Sequence, residues 1–223
     1  MSLWIKICAN TSLADALLAA EAGADAVGFV FAPSPRRVTA AQVAAITRHL
    51  PATVEKIGVF VDATLDEIES TVRACGLSGV QLHSGAGPDA AAQLRDRFGP
   101  KLHILRVVHF GPQAAEDAAS AARDSDLDSI LVDSRTATAV GGTGVLFDWA
   151  EARKSIFGDA GKLKLVAAGG LTPNNVTEAI AVLSPWGVDV VSGVESAPGR
   201  KDPAKVRSFV ANARAALSTG TQK

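Results

Sequence analysis

"LKLVAAGGLTPNNVTEAIAVLSPWGVDVVSG", residues 163–193, decides the fold. An apolar run, 163–168, stops at the paired glycines Gly169 and Gly170. Pro173 and Asn174 follow, where a missing N–H and a short polar side chain suit a helix start. A second apolar run, 187–192, ends in Ser192–Gly193. Both runs are near-continuous in apolar residues rather than alternating, as expected of a parallel strand covered by helices.

The same unit repeats along the chain. Strands are expected at 3–8, 25–31, 54–61, 79–83, 102–108, 128–133, 163–168 and 187–192. Between them lie Ala-rich stretches with helical spacing. "SLADALLAAEAGA" has apolar residues at three- and four-residue steps, with Gly23 as its stop. Thr39 and Thr64 stand where N-caps do, and Pro88 and Pro112 fall near helix starts. "DPAKVRSFVANARAAL" is the last amphipathic stretch. Alternating units of this kind imply a parallel sheet. Eight of them in 223 residues predict an α/β single-domain (β/α)₈ TIM barrel with eight parallel strands over residues 1–217. The tail 218–223, "STGTQK", is expected to fray. The rival, a doubly wound open sheet, lacks its G-x-G-x-x-G fingerprint: "CANTS" follows the first strand.

Composition narrows the function. Hydrophobic residues make up 48% and charged residues 20%, enough for a sizeable core, and the net charge is −1. That balance excludes a nucleic-acid partner, which calls for a basic stripe. No stretch has the length of a membrane span, and "MSLWIKICAN" has no secretory pattern. Two cysteines, Cys8 and Cys75, fit reduced thiols in the cytoplasm.

In a barrel the strand ends collect at one rim, where active sites sit. Here they read Cys8, "FAPSPRR", Val61–Asp62, Gln81–His83, Arg106, Asp133, Gly169–Gly170 and Ser192–Gly193. Glycine turns after strands 7 and 8 commonly bind phosphate through backbone N–H groups. Gly142 and Gly144 of "GGTG" (141–144) add donors and a lid after strand 6. The expected ligand is a phosphorylated small molecule. Cys75, ending a helical run, is expected to be core. His49, His103 and His109 have no metal-ligand spacing and are assigned structural or solvated roles. Asp189 is assigned a structural role and Arg37 a surface one.

"KIC", "GFVFAPSPR", "GVF", "VQLH", "LVDS" with "GGTG", "AAGGLTPNNV" and "VDVVSGVESAPGRKD" occur in order from residue 5 to about 202. Together they resemble the phosphoribosylanthranilate isomerase family of tryptophan biosynthesis. The resemblance implies a barrel without cofactor or metal. It implies an Amadori rearrangement of N-(5-phosphoribosyl)anthranilate to 1-(2-carboxyphenylamino)-1-deoxyribulose 5-phosphate. By the same resemblance Cys8 is the general base, Asp133 the general acid, and Arg36 the group that binds the anthranilate carboxylate. Gln81 and His83 are expected at the substrate. Gly142, Gly144, Gly169, Gly170, Ser192 and Gly193 are expected at its phosphate. The family reads Gly where Ala9 and Ser84 stand here. The expected partner is this small molecule, with the chain a monomer or homodimer.

The chemistry suits those residue types. Opening the furanose calls for an acid at the ring oxygen, and the iminium so formed makes the C2′ proton acidic. A base removes it. Lys6, two residues before Cys8, points the same way along the strand and favours the thiolate by its charge. Two rival readings are kept. A histidine-pathway isomerase calls for paired aspartates at strands 1 and 5, and a ribulose-phosphate epimerase for His and Asp metal ligands. A non-catalytic phosphosugar-binding barrel is the other, since fold alone does not fix function.

Overall fold

A computed structural model describes residues 3–83, 87, 89–133, 148–159 and 164–218. Eight parallel strands close into a barrel. They are β1 (Trp4–Ile7), β2 (Ala26–Val30), β3 (Glu55–Phe60), β4 (Gly79–Leu82), β5 (His103–His109), β6 (Ser129–Asp133), β7 (Lys164–Ala168) and β8 (Gly187–Val190). Each expected strand lies within one or two residues of its predicted ends. The helices are α1 (Leu13–Glu21), α2 (Ala40–Thr47), α3 (Leu65–Cys75), α4 (Ala90–Phe98), α5 (Ala114–Ala122), α6 (Trp149–Ser155), α7 (Val176–Leu183) and α8 (Pro203–Ser218). After β8 a short 3₁₀ turn leads into a hairpin of β9 (Glu195–Ala197) and β10 (Arg200–Lys201). Gly142 and Gly144, Ser84 and Pro88 lie outside the described residues.

Local chemistry explains the punctuation. Thr39 and Thr64 cap α2 and α3, each in a reciprocal capping box with Gln42 and Glu67, which satisfies two otherwise orphaned N–H groups per helix. Gly76 ends α3 in the left-handed conformation, φ 58°, and Gly23 follows α1 at φ 92°.

Strand alternation sorts side chains into two layers. On β1, Ile5 and Ile7 face the helices and join the large outer core with Val80, Leu82, Ile130, Val132, Val188 and Val190. The other parity faces the lumen. There Trp4, Ala26, Ile57, Leu105, Val107, Leu131, Val166 and Ala168 pack together. Trp4 closes the floor by stacking on Trp186 at 5.2 Å. His103 belongs to that floor, its ring nitrogens 2.7 Å from Glu55 and 2.9 Å from Ser129, so its structural assignment stands. Cys75 is buried in the outer core. Closure itself comes from β1 pairing with β8, Lys6 opposite Asp189 and Ile7 opposite Val190.

Just past β1, Ala9 is buried at φ 61°. A residue with a Cβ pays about 1–2 kcal/mol in that left-handed region. Glycine removes the strain but adds unfolded-state entropy. Ala9→Gly is therefore expected to stabilise the fold by roughly 0.5–1 kcal/mol. A urea titration should show a higher midpoint at unchanged slope; a lower midpoint would mean that packing of the Ala9 methyl outweighs the strain.

Candidate active site

The lumen parity that carries Trp4 inward also carries Lys6 and Cys8 inward. The Cys8 N–H donates to the Val190 carbonyl at 2.9 Å, which extends the β1–β8 ladder past the end of the strand. The thiol lies against Gly28 of β2. A Cβ added there would fall 2.5 Å from Cys8 Sγ, so this glycine provides the room the sulfur occupies. Cys8 is 3% exposed.

Asp133 ends β6 with the same inward parity as Leu131, opposite His109 on one side and Ala168 on the other. It is buried. It lines a cleft together with Gly169, Gly170, Asp189, Ser192 and Gly193. The described members of the expected phosphate group thus converge with the expected acid. The cleft walls approach closely: a Cβ on Gly193 would fall 1.9 Å from the Leu171 carbonyl oxygen. Gly169 and Gly170 both hold left-handed φ values, 83° and 64°. Asn175 braces the turn, accepting from Thr172 N at 2.7 Å and donating to Gly170 O at 3.0 Å.

The lumen also holds charges. Lys6 is fully buried. Its ammonium donates to Asp189 Oδ1 and to Gln81 Oε1, both at 2.8 Å. Gln81 thus faces inward as expected, with its carbonyl committed to Lys6; its Nε2 lies 3.4 Å from His83 Nε2. The His83 ring sits 5.8 Å from that of His109. Arg36 reaches the rim from between β2 and α2, where Glu195 of β9 takes its Nε at 2.8 Å and its Nη2 at 2.6 Å. Lys201 of β10 adds a cation 3.5 Å from the same carboxylate.

These neighbours set the protonation of the site. Burial pushes the Cys8 thiol above its ordinary value; Lys6 and Lys201 pull it down, and Asp189 pushes it further up. Burial pulls Lys6 down, but Asp189 and Cys8 outweigh it, so the ammonium is held more firmly than in water. Burial raises the Glu195 carboxyl, yet Arg36 and Lys201 together hold it below the usual range. Burial lowers Lys201 against the opposing pull of Glu195 and Cys8.

Sequence reasoning missed Glu195, Lys201 and the place of Asp189. For Asp189 a signal existed: strands 1 and 8 each carry one opposite charge within an apolar run, and a closed barrel makes those strands neighbours. Glu195 and Lys201 lie on a hairpin added after β8, which strand and helix periodicity does not reveal.

Comparison with known proteins points one way. The sequence profile of the N-(5′-phosphoribosyl)anthranilate isomerase family matches residues 5–212. An N-(5′-phosphoribosyl)anthranilate isomerase of Pelobacter propionicus is 42% identical over 219 residues, spanning 98% of this chain and 99% of its own. One from Geobacter sp. strain M21 is 44% identical over 211 residues, 94% of this chain and 97% of its own. The crystal structure of phosphoribosyl anthranilate isomerase from Thermotoga maritima superposes with a TM-score of 0.81 at 35% identity, covering 96% of this chain and 99% of that one. Another such isomerase, in complex with reduced 1-(o-carboxyphenylamino)-1-deoxyribulose 5-phosphate, gives 0.79 at 33% identity, with coverage of 96% and 99%.

The contact between Gly28 and the thiol generates a test. Gly28→Ala places a methyl inside the sulfur's radius and forces Cys8 or β1 to shift. Overpacking of this kind costs about 1–3 kcal/mol. The variant should melt below the parent, and an unchanged melting temperature would mean that the sulfur moves aside freely.

Proposed function

The chain belongs to the N-(5′-phosphoribosyl)anthranilate isomerase family, and on that premise we propose that Cys8 is the general base and Asp133 the general acid. The enzyme converts N-(5′-phosphoribosyl)anthranilate to 1-(2-carboxyphenylamino)-1-deoxyribulose 5-phosphate in tryptophan biosynthesis. One observation carries the assignment of roles. A buried thiol and a buried carboxylate, on the same inward parity, end strands on one rim. The carboxylate shares its cleft with two glycine-bearing loops. From β6 through β7 and β8 to β1 are three strand steps. At ~4.8 Å each they bound the lateral gap at about 14 Å, room for a pentose between acid and base.

Asp133 gives its proton to the furanose oxygen, and the bond from that oxygen to C1′ breaks. The anthranilate nitrogen supplies its lone pair, forming an iminium. Cys8 then takes the C2′ proton, and the C–H electrons flow into the C1′–N system to leave an enolamine. Tautomerisation gives the ketone. The substrate's own nitrogen is the electron sink.

The remaining roles follow from placement. Glu195 holds Nε and Nη2 of Arg36, which fixes the guanidinium plane; Nη1 carries no hydrogen bond among the described residues and is the donor offered to the anthranilate carboxylate. The N–H groups around Gly169, Gly170, Ser192 and Gly193 receive the phosphate, and Asn175 keeps that turn in shape. Gln81 and His83 flank the sugar from β4. The barrel as a whole, residues 1–217, is assigned as one catalytic domain. Two unpaired cysteines suit a cytoplasmic setting, and no described helix is long and apolar enough to cross a membrane. Association as a homodimer has a precedent in the Thermotoga maritima isomerase, which is described as dimeric.

Two substitutions separate the roles. Cys8→Ala should fold and lose on the order of a hundredfold or more in turnover, because a methyl group accepts no proton. Asp133→Asn should keep KM within about tenfold and lose most of kcat, as expected for a group used in the transition state. Its melting temperature decides the alternative: a less stable protein with full kcat makes Asp133 a turn residue only.

A further inference from the structure

Lys6 is among the buried charges that the acid–base pair leaves without a task. Lys6 is a fully buried ammonium in the lumen of a barrel, where desolvation is costly. Replacing a buried ion pair by apolar residues of similar volume is often neutral or stabilising. Lumen packing therefore does not require a lysine at this position. An ammonium has three donors and no acceptor. Two of its protons go to Asp189 and Gln81, each at 2.8 Å. Cys8 lies two residues on, on the same face of the strand, and the two groups interact by charge.

We propose that Lys6 is a positioning residue for the reaction: its charge favours the thiolate form of Cys8 against the effect of burial, and Asp189 and Gln81 hold Lys6 where it can do so. The inference rests on the reading of Cys8 as the base. The geometry is that of residues i and i+2 on one strand, stacked on the same face. Lys6 is clamped from β8 by Asp189 and from β4 by Gln81. The ammonium is held between those two side chains and cannot swing out to solvent.

Three other charges face the thiol. Asp189 approaches from β8, Lys201 from β10, and Arg36 from the segment after β2. Asp189 works against the thiolate, but it also keeps Lys6 charged. Lys201 and Arg36 share Glu195, so part of their field is already neutralised. Lys6, Lys201 and Arg36 set against Asp189 and Glu195 leave one positive charge in excess, which a thiolate balances. Burial alone drives the sulfur toward the neutral thiol, and Lys6 is the largest opposing influence. The sign is therefore fixed: without Lys6 the thiol titrates higher still, and the base is scarcer at neutral pH.

The test is Lys6→Met, which keeps an unbranched side chain one atom shorter and removes the charge. Lys6→Met/Asp189→Asn is made alongside it, because the single variant strands a buried carboxylate, which destabilises the fold. Two readouts are taken across pH: kcat/KM, and the ultraviolet absorbance of the Cys8 thiolate, obtained as the difference from the matching protein that also carries Cys8→Ala. In the parent, kcat/KM should rise with pH as the thiol ionises. In Lys6→Met both that rise and the absorbance titration should move about one to three pH units higher, the effect of losing a close opposite charge; in the double variant the move is in the same direction and smaller, because the opposing charge of Asp189 is lost too. Activity should return at the alkaline end. An absorbance titration that stays in place overturns the proposal, whatever the activity does. A titration that moves while the kcat/KM profile stays overturns the catalytic role of the coupling. In that event the turnover of Cys8→Ala alone shows whether the fault lies in Cys8 as the base.

Discussion

The pairing of β1 with β8 is the constraint on which the rest of this structure depends. It joins the first strand to the last across nearly the whole length of the chain and turns an open sheet into a closed barrel. Without that seam Lys6 and Asp189 would be two unpaired charges on opposite sheet edges, each too costly to bury alone. With it they meet at 2.8 Å. The Cys8 N–H continues the same ladder onto Val190, so the thiol inherits its place from the seam.

The seam also explains why the polar residues of the lumen are ordered by level. Trp4 packs at the floor, Lys6 lies one inward position above it, and Cys8 one above that at the rim. An apolar plug of Ile57, Leu105, Leu131 and Val166 fills the lumen around this column. Charges surrounded by such packing feel little solvent screening, so a single lysine strongly affects a neighbouring thiol. The ion pair is better understood through what it does to Cys8 than as a source of stability.

Close backbone approach is the second theme. Gly28 leaves the sulfur its space, and Gly193 lets the loop after β8 come against Leu171. Both sites would be filled by a single methyl group. Ala9 shows the opposite: a residue with a Cβ holds a left-handed turn beside the Cys8 thiol, and the strain is tolerated because the flanking strand is fixed by the β1–β8 ladder. Strain of this sort persists where the surroundings over-determine a conformation.

The sequence by itself determined the fold class, the eight strands to within a residue or two, the caps at Thr39 and Thr64, and the rim to which Cys8, Asp133, Gly169, Gly170, Ser192 and Gly193 belong. Those features depend on local periodicity, on turn chemistry, and on a resemblance carried by ordered motifs. Only the tertiary structure decided which charges are partners. Asp189 looked structural while its strand was considered alone; closure set it against Lys6, 183 residues away in sequence. Arg36 was expected at the anthranilate carboxylate; the hairpin after β8 also brings Glu195 to it. Pairing between distant segments depends on register and barrel closure, and neither is written in the periodicity of any one segment.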